Sequence, residues 1–134
     1  GQKVMLSHGD AYCTDDVEYQ AVRTMTRDPQ WQAMMLSKSL QERLAFAEQA
    51  RAASLAHGST IDAEISDVNH TAIANALRDS GVNTMLHGHT HRPAVHELLV
   101  DDQPATRIVL GDWYEHGSVV RWDESGPQLE SMPR

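Results

Sequence analysis

The stretch Leu86-His87-Gly88-His89-Thr90-His91-Arg92-Pro93 carries three histidines at alternate positions, together with one glycine and one arginine. The residues from Thr84 to Leu86 predict a strand that runs directly into this loop. Imidazole nitrogen is a common metal ligand, and a guanidinium can bind phosphate oxygens through two parallel N–H donors. The stretch therefore predicts a metal-binding loop at a strand end, in a protein that hydrolyses a phosphate ester or anhydride.

The composition of the chain fits one globular domain, because 40% of its 134 residues are hydrophobic and 22% are charged. The formal net charge of −8 argues against a nucleic-acid partner, which requires a basic face. The single cysteine, Cys13, cannot form an internal disulfide, which fits a reducing compartment. The chain opens at Gly1 and leads at once into an apolar run, so we expect a fragment of a longer protein.

Capping residues and apolar periodicity predict an alternation of helices and strands. The predicted helices run from an Asp15 cap to Arg27, from Pro29 through Leu36, from a Ser39 and Glu42 capping box to His57-Gly58, and from an Asn69 cap to Gly81. The predicted strands are Lys3 to Leu6, Thr84 to Leu86, Ala94 to Val100, Ala105 to Leu110, Ser118 to Trp122 and Gln128 to Met132. This order predicts an α/β (α+β) fold.

A second polar loop, Ser7-His8-Gly9-Asp10, also follows a predicted strand. In layered α/β folds, ligands bind beyond the carboxyl ends of strands, so we expect this loop and the histidine loop to converge. Hydrolases of phosphate esters often hold two metal ions about 3.5–4 Å apart, in sites that need carboxylates besides histidines. The nearby carboxylates, Asp10, Asp16 and Asp112, have no evident bridging position, and the predicted site is therefore incomplete.

These two loops resemble the last two metal-binding motifs of the calcineurin-like metallophosphoesterases. Further motifs are similar, over essentially the whole chain, to the pyrophosphohydrolases within that superfamily that act on UDP-diacylglucosamine in lipid A biosynthesis of Gram-negative bacteria. The motifs that carry this second resemblance are Cys13-Thr14-Asp15-Asp16, Tyr19-Gln20, Pro29, Trp31-Gln32, Arg51 with Ser54, Asp67-Val68-Asn69, His87 to His96, Val109-Leu110-Gly111, Trp113 and Gly117-Ser118. The match covers only the carboxy-terminal part of that family.

The resemblance implies a four-layer α/β/β/α sandwich, of which residues 1–134 form the carboxy-terminal portion, with a helical lid insertion at about residues 29–60. It implies hydrolysis of the pyrophosphate to UMP and 2,3-diacylglucosamine 1-phosphate (lipid X), with two manganese ions that activate a water. It also implies a lipid substrate and a peripheral location on the cytoplasmic face of the bacterial inner membrane.

The resemblance assigns roles to the histidines of both loops. It implies metal ligands at His8, His89 and His91, and it makes His89 a catalytic residue that also contacts substrate. His87 is not a ligand in the resemblance, so we expect it to support the site. Asp10 is a candidate for the carboxylate that orients a ligand histidine, as such carboxylates commonly do.

Other positions are implied to contact substrate, and two of them depart from the family's pattern. Asp16 and Ser54 match positions that touch the polar head of the substrate, and Arg92 is a candidate phosphate contact. Where the family often has an asparagine and a lysine after the lid serine, this chain has Gly58 and Ile61. The loss of that lysine removes one expected contact to phosphate or acyl amide.

The amino-terminal motifs of the family are absent from this chain, including the one that supplies the bridging aspartate. We therefore expect the chain alone to bind metal weakly and to be inactive, its partner being the missing amino-terminal half. We also expect an exposed sheet face and strand edge to cause self-association.

Two other classes of function stay open. A mononuclear zinc hydrolase would use His87, His89 and His91, or His89, His91 and His116, around one tightly held ion. The His-x-His-x-Asp-His run of metallo-β-lactamase-like enzymes is similar, but Arg92-Pro93 follows His91 here and the acid is missing. A non-catalytic module would bind metal or lipid without turnover.

Overall fold

The computed structural model describes residues 1–133, which divide into two compact units. One unit comprises residues 1–12 together with the chain from Val68 onward, and it contains both sheets and one long helix. The other unit, Cys13–Asp67, is helical. The predicted combination of helices and sheets is confirmed.

The first unit is built on a four-stranded sheet. Its strands are β1 (Met5–Ser7), β2 (Thr84–His87), β3 (Ala94–Val100) and β4 (Gln103–Val109), in the spatial order β1-β2-β4-β3. β1, β2 and β4 run parallel, whereas β3 pairs antiparallel with β4. Asp101 and Asp102 turn this hairpin with φ values of 51° and 62°, the left-handed conformation that tight hairpin loops use.

One helix of the first unit contributes to the core beside this sheet. This helix, α4, spans His70–Ser80. It follows three other α-helices in the sequence. The predicted cap is confirmed, since Asn69 accepts a hydrogen bond from the Ala72 N–H at 3.0 Å. The predicted end is also confirmed, because Gly81 adopts a φ of 63°. The largest side chains buried in this unit include Ile73, Leu77, Met85 and Ile108.

A second sheet follows in the same unit and has two antiparallel strands. They are β5 (His116–Asp123) and β6 (Gly126–Pro133), and both extend beyond the predicted segments. The hairpin pairing adds residues at both ends that carry little apolar signal in the sequence. Ser118 on β5 accepts a hydrogen bond from the Gly111 N–H at 2.9 Å, beside the end of β4.

The helical unit consists of α1 (Val17–Arg27), α2 (Pro29–Ser37) and α3 (Leu40–Thr60). The predicted cap of α1 at Asp15 is wrong by one residue. Asp16 is the cap, because its carboxylate accepts a hydrogen bond from the Tyr19 N–H at 2.9 Å. The capping box that was predicted to begin α3 is confirmed in both of its hydrogen bonds.

The predicted end of α3 at Gly58 is wrong. A glycine ends a helix by taking a left-handed conformation, and Gly58 instead stays within the helix, which continues to Thr60. The Thr60 hydroxyl donates to the His57 carbonyl oxygen at 3.0 Å, and Ile61 forms the cap. Of the helices that the structure describes, none is both long and apolar enough to cross a membrane.

Apolar side chains stay exposed in both units. On the sheet, Leu6 of the edge strand β1 is 75% exposed, and Val95 and Leu99 of β3 are also exposed. In the helical unit the exposed set is larger and includes Val17, Val22, Met25, Met34, Leu36, Leu40, Leu44, Phe46 and Leu55. Such surfaces are typical of proteins that contact a partner, a lipid or a ligand there.

Candidate functional site

The two histidine-containing loops meet at one edge of the sheet. β1 and β2 are parallel neighbours with Ser7 opposite His87, so the loops that follow them leave the sheet side by side. The Gly88 N–H donates to the His8 carbonyl oxygen at 3.1 Å. The imidazole rings of His8 and His89 have their centroids 4.9 Å apart. The structure therefore brings together two of the three histidines that were predicted to ligate metal.

A buried carboxylate sets the orientation of His8. Asp10 is 3% exposed, and its Oδ1 lies 3.1 Å from His8 Nδ1, while the His8 side chain is 63% exposed. An imidazole that donates from Nδ1 presents its lone pair on Nε2. This arrangement of carboxylate and histidine is the one that commonly supports a metal-ligating imidazole.

The histidine loop has an unusual backbone. His89 and His91 have φ values of 67° and 53°, in the left-handed region that residues other than glycine seldom occupy. Such conformations cost about 1–3 kcal/mol each and concentrate at functional sites. Between them, the Thr90 N–H donates to the Gly88 carbonyl oxygen at 2.8 Å. Among the described residues, the Thr90 hydroxyl is buried and has no hydrogen-bond partner.

His91 has different surroundings from the other two histidines. Its ring meets the Tyr114 ring edge-on, with centroids 6.3 Å apart. It also lines a cavity of about 570 Å³, together with His116 of β5. No group of three or more His, Cys, Asp or Glu side chains within residues 1–133 is arranged to hold a metal ion. Within residues 1–133, the groups that meet at the two loops are the imidazoles of His8 and His89, with the Asp10 carboxylate beside His8.

His87 is buried and both of its ring nitrogens have partners. Its Nε2 lies 3.1 Å from Arg107 Nη1, and its Nδ1 lies 3.0 Å from the Gly88 carbonyl oxygen. Arginine only donates, so Nε2 accepts and the proton sits on Nδ1. Neither nitrogen is therefore available to a metal, which argues against the zinc site that includes His87.

Arg107 was missed by the sequence reasoning. It is 4% exposed, on the central strand β4. The signal in the sequence is one charged residue within the predicted apolar strand from Ala105 to Leu110. The sequence could not show that His87 is the partner of Arg107, because this contact depends on the pairing of β4 with β2.

The predicted substrate contacts have several environments. In the helical unit, Asp16 is 7% exposed and caps α1, and its carboxylate oxygens lie 3.0 and 3.1 Å from His57 Nε2. His57 Nδ1 in turn lies 3.2 Å from a carboxylate oxygen of Glu18. Ser54 is exposed on α3. In the other unit, Arg92 is partly buried directly after the histidine loop.

Fold and site together define a class: a mixed α/β protein in which two histidine loops meet beyond the carboxyl ends of parallel strands. No family model matches the chain. Its curated relatives include UDP-2,3-diacylglucosamine hydrolase from Stenotrophomonas maltophilia (strain K279a). That relative is 47% identical over 141 residues, which cover 100% of this chain and 57% of the relative.

Two further relatives carry the same name. The one from Xanthomonas axonopodis pv. citri (strain 306) is 45% identical, over 98% of this chain and 56% of the relative. The one from Xanthomonas oryzae pv. oryzae (strain PXO99A) is 47% identical, with the same coverage. The resemblance to hydrolases of UDP-diacylglucosamine is therefore confirmed, and the chain spans a little more than half the length of these relatives.

Proposed function

We propose that the protein takes part in hydrolysing the pyrophosphate bond of UDP-2,3-diacylglucosamine to UMP and 2,3-diacylglucosamine 1-phosphate, a reaction of lipid A biosynthesis. The observation that carries this proposal is the meeting of His8 and His89, whose ring centroids are 4.9 Å apart beyond two parallel strands. Three relatives at 45–47% identity, all named for this hydrolysis, support the choice of substrate.

We propose that the complete site holds two Mn²⁺ ions. Bound metal would supply positive charge to the phosphates and lower the pKa of water, as in other hydrolases of phosphate compounds. His8 and His89 would hold it through imidazole nitrogen, with Asp10 keeping the His8 ring oriented, and His91 is the third candidate ligand. Arg92 would bind phosphate oxygens. In the net reaction, a water oxygen bonds to the α-phosphorus while the bond from that phosphorus to the bridging oxygen breaks, and UMP leaves with the new oxygen.

We also propose that the present chain contributes one part of a four-layer metallophosphoesterase sandwich, with the oxygen ligands supplied by sequence outside it. The support is the donor set, since hard divalent metals prefer oxygen ligands and the carboxylate beside the two imidazoles, that of Asp10, is engaged with His8 Nδ1. By itself the chain would then bind metal weakly and lack activity.

The activity test uses phosphorus-detected hydrolysis of UDP-2,3-diacylglucosamine with Mn²⁺. The chain is compared alone and with the remaining part of the Stenotrophomonas maltophilia relative added as a separate polypeptide, the full-length relative being the positive control. We expect activity only after addition, loss of it in His89→Ala, and no loss in the matched control His70→Ala, at the exposed start of α4. Activity that survives His89→Ala would refute the ligand assignment, and activity of the chain alone would refute its incompleteness.

Metal analysis separates the other classes of function. Two manganese ions per reconstituted site support the proposal. One tightly held zinc, dependent on His116, would favour the zinc hydrolase. Lipid binding that persists without metal or turnover would favour a non-catalytic module.

We propose that the helical segment at about residues 29–60 is a lid that contacts acyl chains at the membrane surface, on the cytoplasmic face. Its support is the exposure of apolar side chains on α2 and α3, where Leu36 is 69% and Leu40 is 64% exposed. Flotation with vesicles of phosphatidylethanolamine and phosphatidylglycerol tests this. The double change of Leu36 and Leu40 to glutamine should reduce binding, whereas Leu99→Gln, on the exposed face of β3, should not. Equal vesicle binding by the unmodified chain, the double variant and Leu99→Gln would contradict the proposed lid.

A further inference from the structure

Arg107 is a buried cation that none of the functions above uses. Arg107 lies on β4 opposite Met85 of β2, so it shares a face of the sheet with His87, two residues further along β2. Its guanidinium donates from Nη1 to His87 Nε2 at 3.1 Å, and the two side chains are 4% and 1% exposed. Burying a guanidinium is costly, so such a contact is expected to serve a purpose in the structure.

The two hydrogen bonds to the His87 ring require the same tautomer, and Arg107 binds the nitrogen that carries no proton. Because the guanidinium can only donate, His87 Nε2 must accept, which leaves the ring proton on Nδ1. Nδ1–H then donates to the Gly88 carbonyl oxygen at 3.0 Å. That same oxygen also accepts from the Thr90 N–H at 2.8 Å, so it is held from two directions.

Fixing the Gly88 carbonyl fixes the backbone of His89. The carbonyl oxygen and the His89 nitrogen belong to one planar peptide unit, so the orientation of the carbonyl sets the rotation about the His89 N–Cα bond. His89 has a φ of 67°, a conformation that residues other than glycine seldom adopt. The series of contacts from Arg107 through His87 to Gly88 therefore holds a strained turn in place.

The His87 ring also supports the other loop. A Cβ atom built on Gly9 would lie 2.8 Å from His87 Nδ1, so the backbone after His8 rests directly against this imidazole. The Gly88 N–H donates to the His8 carbonyl oxygen at 3.1 Å. One imidazole thus contacts the loops that carry both converging histidines.

We propose that Arg107 is a positioning residue, which holds the His87 ring through Nε2 and thereby holds the His8 and His89 loops in the arrangement in which their rings converge. Its effect on metal binding rests on the proposed function, whereas its hydrogen bond to His87 does not. Loss of residues that orient a ligand without binding the metal typically lowers metal affinity about 10- to 100-fold.

The test combines ¹⁵N spectra of the histidine rings with Mn²⁺ titrations followed by electron paramagnetic resonance. Arg107→Met removes every donor, while Arg107→Lys keeps a long side chain that only donates. The matched control is Arg121→Met, because Arg121 is exposed on β5 and donates to Glu130 at 3.0 Å. His87→Gln identifies the His87 signals.

We expect Nδ1 of His87 to carry the proton in every arginine variant, because the Gly88 carbonyl still accepts from it. The ¹⁵N shift of His87 Nε2 should change in Arg107→Met, which removes its hydrogen bond, and should stay close to that of the unmodified chain in Arg107→Lys and Arg121→Met. The Mn²⁺ affinity should fall about 10- to 100-fold in Arg107→Met and change little in the other two. If Arg107→Met fails to fold by circular dichroism, Arg107→Gln, whose shorter side chain ends two bonds before the guanidinium nitrogen Nη1, takes its place with the same expectations.

An unchanged ¹⁵N shift of His87 Nε2 in a folded Arg107→Met variant would overturn the proposal. So would an Mn²⁺ affinity that falls as far in Arg107→Lys as in Arg107→Met while the Nε2 shift of Arg107→Lys is retained. Absence of Mn²⁺ binding in the unmodified chain would count against the proposed function, and the Nε2 shift would still decide whether Arg107 holds the His87 ring.

Discussion

Replacing Gly9 by alanine perturbs the loop between the first candidate ligand and its orienting carboxylate. Gly9 has a φ of 108°, a conformation that side chains other than glycine rarely adopt. A Cβ atom at this position would lie 2.8 Å from His87 Nδ1 and 3.0 Å from the Gly88 carbonyl oxygen. The substitution therefore combines backbone strain with a steric conflict inside the site.

The size of the effect follows from these two contributions. The backbone conformation should cost about 1–3 kcal/mol, and the overpacked contact about another 1–3 kcal/mol. Alanine offsets about 0.4–1 kcal/mol by restricting the unfolded chain. We therefore expect Gly9→Ala to lower the free energy of unfolding by roughly 1–5.5 kcal/mol.

Gly126 provides the matched control. Its φ of 102° is nearly the same, but a Cβ atom there would meet no atom within 4 Å. Gly126→Ala should therefore show the backbone cost alone, about 0–2.5 kcal/mol. The difference between the two variants isolates the contact with His87 and should be about 1–3 kcal/mol.

The assay is equilibrium unfolding in urea, with the two variants and the unmodified chain measured side by side. The double variant Gly9→Ala with His87→Ala removes the ring that the new methyl group meets, so the effect of Gly9→Ala should shrink in that background. If Gly9→Ala destabilises the chain no more than Gly126→Ala does, the packing of the His8 loop against the His87 ring is wrong.

Three further predictions concern other parts of the first unit. Asn69→Ala removes the hydrogen bond to the Ala72 N–H and should lower the free energy of unfolding by about 0.5–2 kcal/mol in urea, and no loss would exclude this cap. Arg78 donates two hydrogen bonds of 2.7 Å to Asp101 and holds the pKa of that carboxyl below its usual 3.8. Asp101→Asn should therefore reduce stability slightly at neutral pH, and the difference should vanish as the pH falls below 3.8, because the protonated carboxyl loses the same interaction. Leu6 is 75% exposed on the edge strand β1. Leu6→Lys should therefore reduce self-association in analytical ultracentrifugation. If the unmodified chain is already monomeric, the expected association surface does not exist.

Local sequence signals predicted the local structure well. The α4 helix was delimited by an asparagine cap and a left-handed glycine, and the capping box placed the start of α3. Both devices depend on residues only a few positions apart, so a sequence pattern contains them. Gly58 misled the prediction because glycine permits a left-handed conformation without requiring it.

Contacts between distant segments were beyond such signals. The meeting of His8 and His89 could be expected from two loops at strand ends. In the sequence, however, the whole helical unit lies between β1 and β2, and their pairing depends on the strand order of the sheet. The Arg107 to His87 hydrogen bond and the left-handed backbone of His89 are consequences of that adjacency. No local propensity encodes them, and the sequence showed only that Arg107 is unusual in an apolar strand.

The most direct test of a metal-binding pair formed by His8 and His89 is paramagnetic broadening of histidine ring signals by Mn²⁺ in the unmodified chain. Signals of His8 and His89 should broaden at the lowest Mn²⁺ concentration, followed by His91, while His70 and His96 stay sharp. Broadening that begins at His70 or His96, or that affects all histidines equally, would contradict the central claim that the two loops form one wall of a metal site.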